Sequence, residues 1–234
     1  MAEHTLALCA AGLATGLAAG ALAAGYQFGW RGRLANWGAT PEEIRLPLPG
    51  DNVRADVDLV TTRAIAISAP PSCVWPWLVQ MGSGRGGAYS YDWVENLMGL
   101  DMHSADVILP QFQDLAIGDE FPVAGRGGVM RVAALEPERQ LVFSCGEGRW
   151  VASYALLPQR DKTRLISRNR IVLCHDDWPG SKLARALLIE PCWLVFERKM
   201  LIGIKDRAER LARHSELTAA GPVPSSFHWT GEEL

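Results

Sequence analysis

The chain has 234 residues, 48% of them hydrophobic, with a net charge of −3 and a pI of about 6.0. This composition can support a sizeable core, excludes bulk disorder, and lacks the basic balance of a nucleic-acid binder. Five scattered cysteines (Cys9, Cys73, Cys145, Cys174 and Cys192) form no CxxC pair, so neither a disulfide framework nor a zinc site is expected, while nine tryptophans point to large buried surfaces or an aromatic-lined cavity.

Thr5 to Gly25 is a run of 21 residues without a charge. As a helix at ~1.5 Å per residue it is long enough to cross a bilayer core of roughly 30 Å. No basic residue precedes it, and Arg31 and Arg33 follow it, an asymmetry that predicts an uncleaved anchor with the domain in the cytoplasm. A cleaved secretory signal is the alternative. Gly12, Gly16 and Gly20 form a stripe at which helices could self-associate. Tyr26, Trp30 and Trp37 suit an interfacial stretch, so residues 1–37 read as anchor and juxtamembrane segment. Thr40-Pro41-Glu42-Glu43 carries the signals of a short capped helix, and the proline- and charge-bearing stretch up to Asp58 completes a linker over 38–58.

Leu59 to Ser68 reads as a strand and Ser72 to Met81 as a short helix that must accommodate Pro76. Gly82 to Gly87 holds four glycines in six residues, a loop with backbone freedom. A second short helix is expected over Tyr89 to Met98, capped by Ser90. Five runs then read as antiparallel strands: Asp119–Val123, Gly128–Leu135, Gln140–Cys145, Arg149–Pro158 and Thr163–Cys174. In the last, Arg164, Arg168 and Arg170 share a face expected to meet solvent. Lys182 to Arg213 is helical, with Pro191 starting or kinking its main part and Leu194, Leu201, Ile204, Ala208 and Leu211 on one stripe. Residues 215–234 read as a tail.

The order of strand, two short helices, antiparallel strands and long C-terminal helix resembles the helix-grip fold of the START-like (SRPBCC) superfamily, which includes Bet v 1 and polyketide cyclase/dehydrase proteins. Three segments carry the likeness to a bacterial branch: Ala69-Pro70-Pro71-Ser72-Cys73-Val74-Trp75-Pro76-Trp77-Leu78-Val79-Gln80-Met81-Gly82, Tyr89-Ser90-Tyr91-Asp92-Trp93-Val94-Glu95-Asn96, and Glu197-Arg198-Lys199-Met200-Leu201-Ile202-Gly203-Ile204-Lys205. The resemblance covers about Leu59 to Arg213. It implies an α+β domain over 59–214, with a curved sheet wrapped around the last helix and a ligand cavity between them. It supplies no reaction, because one fold hosts carriers, receptors and enzymes.

Within that frame, Tyr89, Tyr91, Trp93, Trp193 and Phe196 are candidate ligand-binding residues, since pockets are lined mainly by aromatics. Arg85 in the glycine loop could attract an anionic head. For acid–base work the candidates are Tyr91, Asp92, His103 and Glu197; Glu95 or Asp92 could act as a base if burial raised its pKa. Glu190 and Glu197 lie seven apart on the apolar stripe, where a carboxylate needs a partner; Arg126, Arg131 and Arg149 could supply it. No Gly-x-Ser-x-Gly or His-Glu-x-x-His pattern is present, and the glycine loop lacks the phosphate-binding spacing, so no metal and no cofactor is expected. The expectation is therefore a membrane-tethered domain binding a hydrophobic lipid, quinone, polyketide or terpenoid. The alternatives are a cyclase/dehydratase acting in the same cavity and a structural membrane partner with a filled core.

Overall fold

The computed structural model describes residues 31–123, 128–172 and 190–219. The uncharged run Thr5 to Gly25, the turn at 174–180, the helical stretch expected over 182–189 and the residues after Ala219 lie outside the described residues. Among the described residues no helix is long and apolar enough to cross a membrane.

Two short helices, α1 (Arg31–Ala35) and α2 (Pro41–Arg45), precede β1 (Leu59–Ile67). After them come α3 (Pro71–Val79) and α4 (Asp92–Leu97), then β2 (Glu120–Pro122), β3 (Val129–Glu136), β4 (Gln140–Cys145), β5 (Trp150–Gln159), β6 (Lys162–Ile171) and the long α5 (Glu190–Ala219). The strands form one six-stranded antiparallel sheet in the order β1-β6-β5-β4-β3-β2. Tight turns drive this meander. Gln159 pairs with Lys162 across a two-residue loop in which Arg160 takes a positive φ of 45°. A register shift between Val132 and Ala134 bends β3, the usual effect of an extra residue in one strand.

The strand period of two sorts residues between the sheet's faces. Ile67, Val132, Phe143, Tyr154 and Leu165 join one core cluster with Leu201, Ile204, Ala208 and Ala212 of α5. Pro191 is the second described residue of α5. In α3, Pro76 is accommodated inside the helix, and Val74, Trp77, Leu78 and Val79 are buried.

At Gly203, α5 passes so close to Tyr89 that a Cβ there would press on the Tyr89 carbonyl oxygen and stand 2.8 Å from the Tyr89 Cβ. Tyr89 is itself fixed, with φ 57° and its hydroxyl donating to the Trp77 carbonyl at 3.0 Å. In an exposed helix Gly→Ala gains about 1 kcal/mol. Here backbone would have to move, so Gly203→Ala is expected to lose about 1–3 kcal/mol in urea unfolding. A gain instead would show that the two chains do not touch.

The expected linker is the main correction. Residues 38–58 do not run free; through Glu43, Ile44, Leu46 and Asp51 they cover the outer face of the sheet. The arginine row of β6 lies beneath them rather than in solvent. Arg164 pairs with Glu43 at 2.7 Å, and Arg168, only 4% exposed, reaches Asp51 at 2.6 Å. The Arg164 hydrogen bond holds the Glu43 carboxyl below its ordinary pKa, although partial burial pushes the other way. Leu48 is buried with Ala64, Ala155 and Ile166 in a second small apolar cluster. The physical reason is that a guanidinium on a sheet face offers five donors, and a proline-rich segment without internal pairing has free carbonyls to accept them.

Candidate functional site

Between the inner face of the sheet and the first turns of α5 the described residues bound a cavity of about 580 Å³. Met81, Gly82, Gly87, Ala88 and Ser90 close one end. The sheet contributes Phe121, Met130, Phe143, Trp150 and Tyr154, and α5 contributes Trp193, Phe196, Glu197 and Met200. Met98 lines the cavity and is also exposed, so the cavity meets the surface beside α4. Five methionines (Met81, Met98, Met102, Met130 and Met200) belong to the wall, which gives it soft and adaptable surfaces.

Trp193 and Phe196 lie one helical turn apart and both face the cavity. Trp193 packs edge-on to Trp150, with centroids 5.3 Å apart, and Phe196 packs edge-on to Tyr91 at 5.6 Å. Tyr91 thus stands behind Phe196 and is not itself among the lining residues. The Trp150 indole donates to Asn169 Oδ1 at 2.9 Å, and Asn169 Nδ2 donates to Glu197 Oε1 at 3.1 Å.

Glu197 anchors this polar chain at the cavity wall. Ser167 Oγ donates to its Oε1 at 2.7 Å, and Arg63 of β1 pairs with its Oε2. The partner is Arg63, not Arg131 or Arg149; Arg126 lies outside the described residues. Burial pushes the Glu197 carboxyl above its ordinary pKa, while Arg63 and Ser167 pull it back. Arg63 also donates through Nε and Nη2 to the Leu34 carbonyl, both at 3.2 Å. This guanidinium is 1% exposed, and the alternation of β1 could have exposed it: Thr61, Arg63, Ile65 and Ile67 share the inward face, and an inward charge requires a partner.

Several expected site residues stand elsewhere. Trp93 is 73% exposed on the outer side of α4 and is not a cavity residue. His103 is a surface side chain, paired with exposed Asp101 at 3.1 Å. Asp92 fixes a loop, accepting from Ser104 N at 2.7 Å and Ser104 Oγ at 2.6 Å. Tyr89 is a buried post between α3 and α5, and burial raises its phenol pKa. Ser90 does not cap α4; its hydroxyl donates to the Phe196 carbonyl at 3.3 Å. The glycine loop closes on itself through mutual Gly82–Gly87 backbone bonds, so it is a pinned hairpin rather than an open flap. Arg85 is consumed within the fold: it donates to the Val79 carbonyl at 2.9 Å and lies over the rings of Phe112 and Phe121. The six-residue α4 is too short for periodicity to fix its facing, which is why Trp93 and Glu95 were hard to place from sequence.

Glu95, by contrast, faces the cavity and is 6% exposed. Burial first, and then the charge of Asp92, raises its carboxyl to about 7, against a lowering contact from Ser90.

No family model and no curated protein matches the chain. Solved structures of low sequence identity do. The polyketide-cyclase-like protein Cgl2372 from Corynebacterium glutamicum is 16% identical over 74% of this chain and 97% of its own, with a TM-score of 0.32. CalU16 from Micromonospora echinospora is 17% identical over 66% of this chain and 86% of its own, with a TM-score of 0.31. Protein MLL2253 from Mesorhizobium loti is 18% identical over 65% of this chain and 98% of its own, with a TM-score of 0.38. The fold is read from the chain itself: its strand order and gripped helix give it the helix-grip fold that the START-like resemblance implies.

Proposed function

We propose that the domain binds a hydrophobic small molecule in its internal cavity. The observation that supports this is the cavity itself, about 580 Å³ and walled by methionine and aromatic side chains. That size falls within the range of roughly 300–1,000 Å³ that takes a drug-sized ligand. A structural partner with a filled core has no need of such a void. Turnover has less support: Tyr91, Asp92 and His103 do not line the cavity and Glu197 is already held by Arg63, so among the described residues Glu95 is the one acid–base candidate left facing the cavity, with no second group placed to work with it. A membrane tether belongs to the same proposal; the uncharged run Thr5 to Gly25, followed by Arg31 and Arg33, supports a domain held on the cytoplasmic side.

Titration with the neutral fluorophore N-phenyl-1-naphthylamine tests the cavity, and Trp193→Ala localises it. Because the ring borders a void, the variant is expected to bind the probe about five- to tenfold more weakly and to lose less than about 2 kcal/mol of stability. A packed core tryptophan would instead lose about 3–5 kcal/mol. That loss, with unchanged probe affinity in the folded fraction, would remove the binding assignment.

A further inference from the structure

Buried carboxyl groups are normally satisfied, because an unpaired polar group in an apolar site is costly. The cavity contains two. Glu197 has its ion pair with Arg63 and its hydrogen bonds from Ser167 and Asn169. Glu95 has no such set: its Oε2 is buried without a hydrogen-bond partner. It is the buried residue of α4, so the helix presents it inward while Trp93 and Leu97 face solvent.

Among the described residues, no lysine, arginine or histidine lines the cavity. The titratable groups that face it are Glu197 and Cys192 from α5 and Tyr154 from β5, and Asp92 acts on Glu95 from its own helix. Tyr154 Oη is directed at Met200 Sδ, 3.8 Å away. Arg63, the nearest cation of the polar chain, is committed to Glu197 and the Leu34 carbonyl. Among the described residues, the cavity is therefore apolar over most of its wall and acidic at Glu95, with no lining cation to balance that acid.

We propose that Glu95 anchors the ligand by accepting a hydrogen bond from a protonated amine, so that the preferred ligand is an apolar amine. The inference rests on the cavity-binding reading and adds the ligand's polar end. An ammonium satisfies Oε2, neutralises the carboxylate and relieves its repulsion from Asp92. A hydroxyl offers only the hydrogen bond. A carboxylate ligand would add a further negative charge beside Glu95 and Asp92 and is disfavoured. Because Glu95 titrates at about 7, the carboxylate that receives the amine becomes more abundant as pH rises through that value, whereas an aliphatic amine keeps its own proton.

The test compares decylamine, decanol and decanoate as displacers of N-phenyl-1-naphthylamine from the natural protein and from Glu95→Gln, at about pH 6 and about pH 8. On the natural protein decylamine affinity is expected to rise about tenfold between the two pH values, as the ionised fraction climbs from roughly one tenth to nine tenths. Decanol should stay level and decanoate should be the weakest of the three. Glu95→Gln, isosteric and neutral, should bring decylamine down to the decanol value at both pH values. An amine that binds no better than the alcohol on the natural protein, or that shows no pH dependence there, overturns the anchor while leaving cavity binding intact; this arm does not depend on the variant. If the fluorophore and all three displacers fail to bind, the cavity-binding reading falls with it.

Discussion

Arg63→Met is expected to destabilise the domain by about 3–5 kcal/mol, because it leaves the Glu197 carboxylate buried without its counter-charge. The residue sits near the middle of β1, opposite Ser167 on β6, and its guanidinium is almost wholly inside the protein. Burial already raises the Glu197 pKa, and removing the arginine takes away the largest opposing influence. A carboxyl whose folded pKa lies above its unfolded value gives stability that is present at low pH and is lost as pH rises through the folded pKa. The variant should therefore recover part of its loss on going from about pH 8 to about pH 5.5, relative to the natural protein. Arg63→Met combined with Glu197→Leu should recover most of it at both pH values, because no charge then remains to be buried. Urea midpoints for the single and double variants check this. A single variant within about 1 kcal/mol of the natural protein at pH 8 would mean that water reaches the pair.

Arg168→Ala is expected to have a comparable effect from the opposite face, about 3–4 kcal/mol. Its Nε donates to Thr62 Oγ1 at 3.0 Å, and Nη1 donates to the Leu46 carbonyl at 2.8 Å and to Asp51 Oδ2 at 2.6 Å. Its Nη2 donates to the carbonyls of Glu43 at 3.0 Å and Ile44 at 2.9 Å. One side chain thus ties β6 and β1 to four residues of the covering segment. Its loss leaves those acceptors facing a void and frees the segment locally. Lysine, with one compact ammonium in place of the planar fork, should recover only part of the stability. Limited proteolysis distinguishes this from general unfolding: cleavage should rise first within 46–58, while the strands stay protected. Uniform cleavage throughout the chain would argue that the segment is not a separate layer.

These two arginines also show what was legible in the sequence. The strands were readable because alternation and tight turns are local properties, and residues such as Gln140 to Cys145 form the expected strand without adjustment. The large rings Trp193 and Phe196 could be expected at the cavity because pockets are lined mainly by aromatics and these two stand on the helix that the sheet grips. The covering segment was not readable. Pro47, Pro49 and Gly50 carry the composition of a linker, and most of what Arg168 recognises in it is backbone carbonyl, which any sequence possesses. The Arg63–Glu197 pair spans 134 positions, so no local pattern could name the partner. Glu95 differs from Asp92 by three positions in a single short helix, and only the packing of α4 decides which carboxyl enters the cavity and which holds Ser104.

The methionine wall has a chemical consequence. Thioethers adapt to differently shaped guests because they are unbranched and polarisable, but the same sulfur atoms can take up oxygen. Met98 stands exposed at the mouth, ahead of Met102 and the deeper Met130 and Met200. Peroxide entering there would convert an apolar, pliant surface into one bearing sulfoxide dipoles, and the cavity would lose its oil-like character from the outside inward. A reductase acting on methionine sulfoxide would restore it, so the ligand binding proposed above would follow the oxidative state of the surroundings through side chains that carry no charge.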